Sequence, residues 1–163
     1  MNFKQIKLLV LDFDGVLTNN YVWVSEDGIE SVRCNRSDGI GLARIKNLGI
    51  QVYIISTEKN KVVSTRATKL KLPVIQGVDD KKAAILKLSK DLAIPLKNIA
   101  FIGNDINDIP AFDVVGFPIG VSDSFEEINS KVVLKTKKNG GEGAVREICD
   151  LIYNSIKNDE QCI

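Results

Sequence analysis

Histidine is absent from this chain of 163 residues. That absence removes Ser-His-Asp and Cys-His catalysis, His-ligated metal sites and phosphohistidine chemistry together. Any catalysis must run on carboxylates, Lys, Ser/Thr or Cys. Cysteine is scarce as well. Cys34, Cys149 and Cys162 are odd in number and widely spaced, which fits neither a disulfide framework nor a zinc knuckle and predicts a reducing, cytoplasmic setting. A dominant charge is also missing, with 22 Lys+Arg against 21 Asp+Glu. No global field draws a polyanion or an acidic membrane surface, so neither nucleic acid nor a membrane is an expected partner. No apolar run approaches the roughly 20 residues of a membrane span, and no leader pattern opens the sequence. A soluble, unprocessed protein is expected.

What is present is ordinary for one globular domain, 1–163, with 44% hydrophobic residues and no room for a second domain. Apolar runs occur at Ile6–Leu11, Ile50–Ile55, Val74–Ile75, Ile99–Ile102 and Phe117–Val121. Near-continuous apolar strands indicate a sheet buried on both faces. Between them lie helix-period segments, Asp38–Leu48 closed by Gly49, Lys59–Leu72 closed by Pro73, and Asp79–Ala93 stopped before Pro95. The alternation predicts an α/β, doubly wound, Rossmann-like parallel sheet with its ligand site beyond the carboxyl ends of the strands. Residues 143–157 place Val145, Ile148, Ile152 and Ile156 on one face, as a docked C-terminal helix would. Fraying is expected from about Asn158. One segment breaks the pattern: in Tyr21–Arg33, β-favouring residues flank Asp27-Gly28, which predicts a β-hairpin inserted after the first strand.

The first strand ends in Asp12-Phe13-Asp14-Gly15-Val16-Leu17-Thr18. Side chains two apart on an extended chain share a side, so two carboxylates converge there. Such a pair repels and holds raised pKa values unless a hard divalent cation neutralises it, and Mg²⁺ is the natural occupant. Ser56, Lys81 and Asn104-Asp105 stand at or beyond the ends of later strands and should face the same crevice. Each has a plainer reading on its own: an Asx turn before Gly15, a helix N-cap at Ser56-Thr57, a solvated Lys81 in the polar run Asp79–Lys82, and a capping turn at Gly103–Asp108. Their joint order and placement outweigh those readings.

By Asp12–Thr18, Ser56, Lys81 and Gly103-Asn104-Asp105-Ile106-Asn107-Asp108, the chain resembles the haloacid dehalogenase superfamily of Mg²⁺-dependent phosphohydrolases over nearly its whole length. Ser37-Asp38-Gly39, Gln76-Gly77 and Gly140–Glu147 make it similar to a capless branch. That branch contains 3-deoxy-manno-octulosonate-8-phosphate and nonulosonate-9-phosphate phosphatases. The resemblance implies that Asp12 is the nucleophile and Asp14 the general acid and base. It implies that Ser56 and Lys81 bind the phosphoryl oxygens, and that Mg²⁺ is held by Asp12, the Asp14 carbonyl and the Asn104-Asp105 turn. Where most relatives carry Gly-Asp-Asp, this chain has Gly103-Asn104-Asp105, which offers the metal a neutral amide unless Asp105 or Asp108 contributes.

Ser56 stands 42 positions after Asp14, and Lys81 stands 25 after Ser56. Those gaps hold no cap domain. The resemblance therefore implies a homotetramer in which a neighbouring subunit roofs the site, with the apolar hairpin around Tyr21, Trp23 and Val24 as the assembly surface. The expected substrate is a small phosphorylated sugar acid, and the expected substrate-binding residues are Thr57, Glu58, Arg66, Lys69 and Asp108. Ser56-Thr57-Glu58 replaces the Thr-Gly-Arg of octulosonate phosphatases and looks like the nonulosonate type, so a nonulosonate 9-phosphate is expected ahead of octulosonate 8-phosphate. The alternatives are the octulosonate enzyme itself and a noncatalytic assembly domain associated with an acylneuraminate cytidylyltransferase.

Overall fold

The computed structural model describes residues 2–160. Its sheet is built from β1 (Leu8–Leu11), β4 (Gln51–Ser56), β5 (Val74–Gln76), β6 (Ile99–Gly103), β7 (Phe117–Gly120) and β8 (Leu134–Lys135). Their order is β5-β4-β1-β6-β7-β8, and every pairing is parallel. β1 lies in the middle, with Leu11 opposite Ile54 on one side and Ile102 on the other. β1, β4 and β6 therefore end side by side, which is where an open α/β sheet binds its ligands.

Helices cover both faces. Leu9, Leu11, Val52, Ile54, Ala100 and Ile102 pack under α1 (Arg36–Lys46), α2 (Lys61–Leu70) and α5 (Ala144–Glu160). Leu8, Val10, Ile55, Ile99 and Phe101 pack under α3 (Lys81–Asp91) and the short α4 (Ile109–Phe112). Alternate residues of one strand thus feed opposite cores, which is why the strands read as unbroken apolar runs.

The expected elements exist with shifted bounds. α1 starts at Arg36, before the expected Asp38, because Asn35 caps it by accepting from the Ser37 N–H. α2 starts at Lys61 because Asn60 accepts from the Val62 N–H. α5 runs on to Glu160, past the expected fraying point, and the remaining tail with Cys162 lies outside the described residues. β8 has two residues, too few to leave a periodic signal.

The hairpin is present as β2 (Thr18–Val24) and β3 (Glu30–Cys34), paired antiparallel with Val22 opposite Val32 and Trp23 opposite Ser31. Its turn closes through the Gly28 N–H donating to the Ser25 carbonyl at 2.9 Å. The hairpin forms a sheet of its own, and Tyr21 and Trp23 are 73% and 57% exposed.

Candidate active site

The site grows from the loop after β1. The carbonyl of Phe13 accepts from the N–H groups of Leu17 and Thr18 at 2.9 and 3.1 Å, and the Thr18 hydroxyl accepts from the Gly15 N–H at 3.1 Å. These bonds fold Asp12–Thr18 into a tight cup. Gly140 and Gly141 press on its back. A Cβ at Gly140 would fall 1.8 Å from the Gly15 carbonyl oxygen, and one at Gly141 would fall 2.3 Å from the Asn19 nitrogen. Only glycine allows that approach, so the Gly140-Gly141 pair buttresses the loop.

Asp12 is 5% exposed. Its Oδ1 accepts from the Phe13 N–H at 2.8 Å and pairs with Lys81 Nζ at 2.8 Å, while the same Nζ donates to Asp108 Oδ1 at 2.6 Å. Lys81 is placed there by α3, which Asp80 caps by accepting from the Ala83 N–H. A solvated Lys81 is thereby ruled out. The ammonium is 1% exposed between two carboxylates. Burial works against its charge, but Asp12 and Asp108 outweigh burial and hold its pKa up. Burial first, and the Asp108 charge second, push the Asp12 carboxyl up, while Lys81 opposes them. The half-buried Asp14 is pushed up to about 6, chiefly by burial and then by the facing charge of Glu58, with Lys81 opposing and Glu30 adding to the rise.

Asp108 does not line the cleft as a substrate ligand. It is fully buried, its Oδ1 holds Lys81, and its Oδ2 accepts from the N–H groups of Asn104 and Asp105 at 2.8 and 3.3 Å. It fixes Lys81 and the Gly103–Asp105 turn at once. Asp105 turns its carboxylate onto the Ile106 N–H at 2.6 Å and caps the 106–108 turn. Asn104, by contrast, is 5% exposed and packs on the cup, so close that a Cβ at Gly15 would fall 2.1 Å from its Nδ2 and 3.1 Å from its Oδ1. Asn104 is thus the residue of the turn that faces the Asp12–Gly15 loop.

Ser56 is 1% exposed at the end of β4. It does not cap α2, since Asn60 does. Its Oγ accepts from the Glu58 N–H at 3.1 Å, which leaves the hydroxyl proton free to donate. Thr57 and Glu58 line a cavity of about 280 Å³ with Asp14, Asn20, Tyr21, Glu30 and Asn60. Arg66 and Lys69 lie apart from it, in a groove of about 600 Å³ between α2 and β3, where Arg66 Nη2 donates to the Asn35 carbonyl at 2.8 Å. Glu30 and Asn60 line both spaces and were not among the expected site residues.

Among the described residues, no group of three His, Cys, Asp or Glu side chains is placed to hold a metal. A hard cation at the cup would therefore take amide and main-chain oxygens beside the Asp12 carboxylate. That oxygen-only donor set suits Mg²⁺, which is commonly held by one or two carboxylates with substrate phosphate and water completing the shell.

A haloacid dehalogenase-like hydrolase family matches residues 42–148. The chain belongs to that family. The 3-deoxy-D-manno-octulosonate 8-phosphate phosphatase KdsC of Escherichia coli K12 is 35% identical over 150 residues, covering 91% of this chain and 80% of that protein. The 3-deoxy-D-manno-octulosonate 8-phosphate phosphatase of Moraxella catarrhalis, solved in complex with a magnesium ion, a phosphate ion and a KDO molecule, superposes with a TM-score of 0.93. It is 36% identical and covers 99% of this chain and 93% of its own. The cobalt-bound octulosonate phosphatase of Haemophilus influenzae is 28% identical, with a TM-score of 0.90, over 95% of this chain and 91% of its own. These likenesses place this haloacid dehalogenase-like hydrolase in the capless octulosonate phosphatase branch, and among the described residues no cap interrupts its fold.

Proposed function

We propose that this hydrolase is a Mg²⁺-dependent phosphatase of a 2-keto-3-deoxy sugar acid phosphate, with 3-deoxy-D-manno-octulosonate 8-phosphate as the leading substrate. The observation that carries it is the buried Asp12–Lys81–Asp108 triad at the end of β1, beside a second carboxyl, Asp14, held in a partly protonated range. The likeness to KdsC over nine-tenths of the chain points the same way and moves the substrate from the expected nine-carbon acid to the eight-carbon one.

In this mechanism Asp12 attacks phosphorus and carries the phosphoryl group as an aspartyl-phosphate, dividing one difficult hydrolysis into two displacements. Asp14, with a pKa of about 6, gives its proton to the departing sugar oxygen and then takes one from water. The Ser56 hydroxyl donates to a phosphoryl oxygen. Lys81, already fixed by Asp108, supplies positive charge without reorganisation as the transition state forms. Asp12, the Asp14 main-chain carbonyl and the Asn104 amide oxygen would hold the metal. When bound, Mg²⁺ neutralises charge on the transferring phosphoryl oxygens.

The test is a panel of sugar phosphates assayed with and without EDTA on the native protein and on Asp12→Asn. Turnover should need the metal and fall by more than about a thousandfold in the variant. Full activity in EDTA, or in Asp12→Asn, would sink the mechanism.

One observation favours the nine-carbon reading. Glu58 faces Asp14 closely enough to raise its pKa, at the position where octulosonate enzymes carry Arg. Comparing kcat/KM for the two sugar phosphates on native and Glu58→Arg protein separates the readings. A native preference for the nine-carbon ester that reverses on substitution selects the nonulosonate enzyme.

A further inference from the structure

The cavity beside Asp14 and the groove beside Arg66 share Glu30, Val32, Asn60 and Val62 in their walls, and the two polar residues of that set touch. Asn60 is held at both ends: its Oδ1 accepts from the Val62 N–H at 3.1 Å, and its Nδ2 donates to Glu30 Oε2 at 2.7 Å. A helix cap thereby becomes a clamp on a side chain of the hairpin, 30 residues away in sequence. Glu30 is half-buried, and its Oε1 has no hydrogen-bond partner among the described residues. On one side of the pair the 280 Å³ cavity carries the carboxylates of Asp14 and Glu58, and on the other the 600 Å³ groove carries Lys61, Arg66 and Lys69.

We propose that Glu30, fixed by Asn60, is a specificity-determining residue that accepts hydrogen bonds from hydroxyl groups of the sugar close to its phosphate ester. This rests on the reading of the protein as a sugar-phosphate phosphatase and extends it to which part of the sugar is recognised. An ionised carboxylate only accepts hydrogen bonds, so its partners on the substrate must be donors. Hydroxyls meet that need, and such charge-assisted bonds are the stronger kind. Because Asn60 holds Glu30 before substrate arrives, little side-chain freedom is lost on binding.

Charge sets the orientation. Asp14, Glu30 and Glu58 together repel any carboxylate near the ester oxygen, while the basic groove beyond the Glu30–Asn60 pair attracts one. The favoured substrate is therefore a primary phosphate ester with neutral, hydroxylated carbons next to the phosphate and its acid group at the far end. Short phosphorylated acids, with the carboxylate one or two carbons from the ester, are disfavoured.

The experiment measures kcat and KM for octulosonate 8-phosphate and for p-nitrophenyl phosphate at saturating Mg²⁺, on native protein, Glu30→Gln and Asn60→Asp. Asn60→Asp keeps an oxygen to cap α2 but removes the donor that holds Glu30 and sets a like charge beside it. In both variants the ratio of kcat/KM, sugar phosphate over aryl phosphate, should fall at least tenfold, with the loss mainly in the KM of the sugar phosphate. A ratio unmoved in Glu30→Gln, or equal losses on the two esters, overturns the proposal. A native enzyme that prefers another sugar phosphate overturns the octulosonate reading instead, and the same ratio taken with that ester then decides the role of Glu30.

Discussion

Lys81 illustrates how burial turns a charged side chain into a fixed instrument. Its ammonium lies 2.8 Å from Asp12 and 2.6 Å from Asp108 with almost no water contact, so removing it leaves two buried carboxylates uncompensated. Lys81→Met should therefore cost roughly 3–5 kcal/mol of stability in addition to turnover, read as a fall in denaturant midpoint alongside lost activity. Asn104, proposed above as a metal ligand, is packed against the Asp12–Gly15 loop. Asn104→Asp adds one negative charge against the cup, and calorimetry should find Mg²⁺ bound roughly tenfold more tightly, which is about 1.4 kcal/mol. An unchanged affinity would remove Asn104 from the proposed metal ligands. Away from the cup, Asp38 is fully buried, accepts from the Arg146 N–H at 3.0 Å, and leaves Oδ2 without a partner. Burial pushes it up to about 6, against the lowering effect of that hydrogen bond and of Arg66 and Arg146. A folded-state pKa above the unfolded value means that the native state binds the proton more tightly. Its contribution is fully present below about pH 4 and is lost as pH rises through 6. Asp38→Asn keeps the acceptor for Arg146 without the charge. It should raise the melting temperature at pH 8, by up to about 3 kcal/mol of stability, with the gain vanishing by pH 4.

At the scale of elements, caps and glycines set the boundaries that periodicity alone placed loosely. Asn35 and Asn60 start α1 and α2 where their side chains reach the second N–H of each helix. Hydrophobic period locates a helix but says nothing of which nearby Asn will cap it. The seam between α1 and α5 depends on Gly41, where a Cβ would lie 2.8 Å from Arg146 Cδ and 2.9 Å from Cys149 Cβ. Gly41→Leu should force the helices apart and destabilise the fold by about 1–3 kcal/mol, measured by thermal melting, with little effect on KM if the crevice keeps its shape. The Asp27-Gly28 signal located the hairpin correctly. It could not show that Glu30 would meet Asn60, since that contact joins two separate sheet and helix elements.

For the whole molecule, the exposed hairpin sets the main expectation. Tyr21, Val22, Trp23, Val24 and Ile29 are each half exposed or more, a concentration of apolar surface that a second copy would cover. We propose a homotetramer assembled through this hairpin, each copy roofing a neighbour's open site. Light scattering should give about four times the chain mass, and Trp23→Glu should lower both that mass and kcat/KM. A fully active monomer would contradict the proposal. The sequence by itself determined the alternation of strands and helices, the hairpin, and the order Asp12, Asp14, Ser56, Lys81, Asn104, because these follow from local periodicity and from motifs set at strand ends and helix starts. Tertiary structure alone decided which polar groups meet. Burial and charge balance drew Asp108 inward onto Lys81 rather than toward substrate, turned Asp105 onto its own helical turn, set Asn104 against Gly15, and joined Glu30 to Asn60 across two elements. A polar side chain finds its partner through the geometry of the packed chain, and no local pattern encodes a contact between positions so far apart.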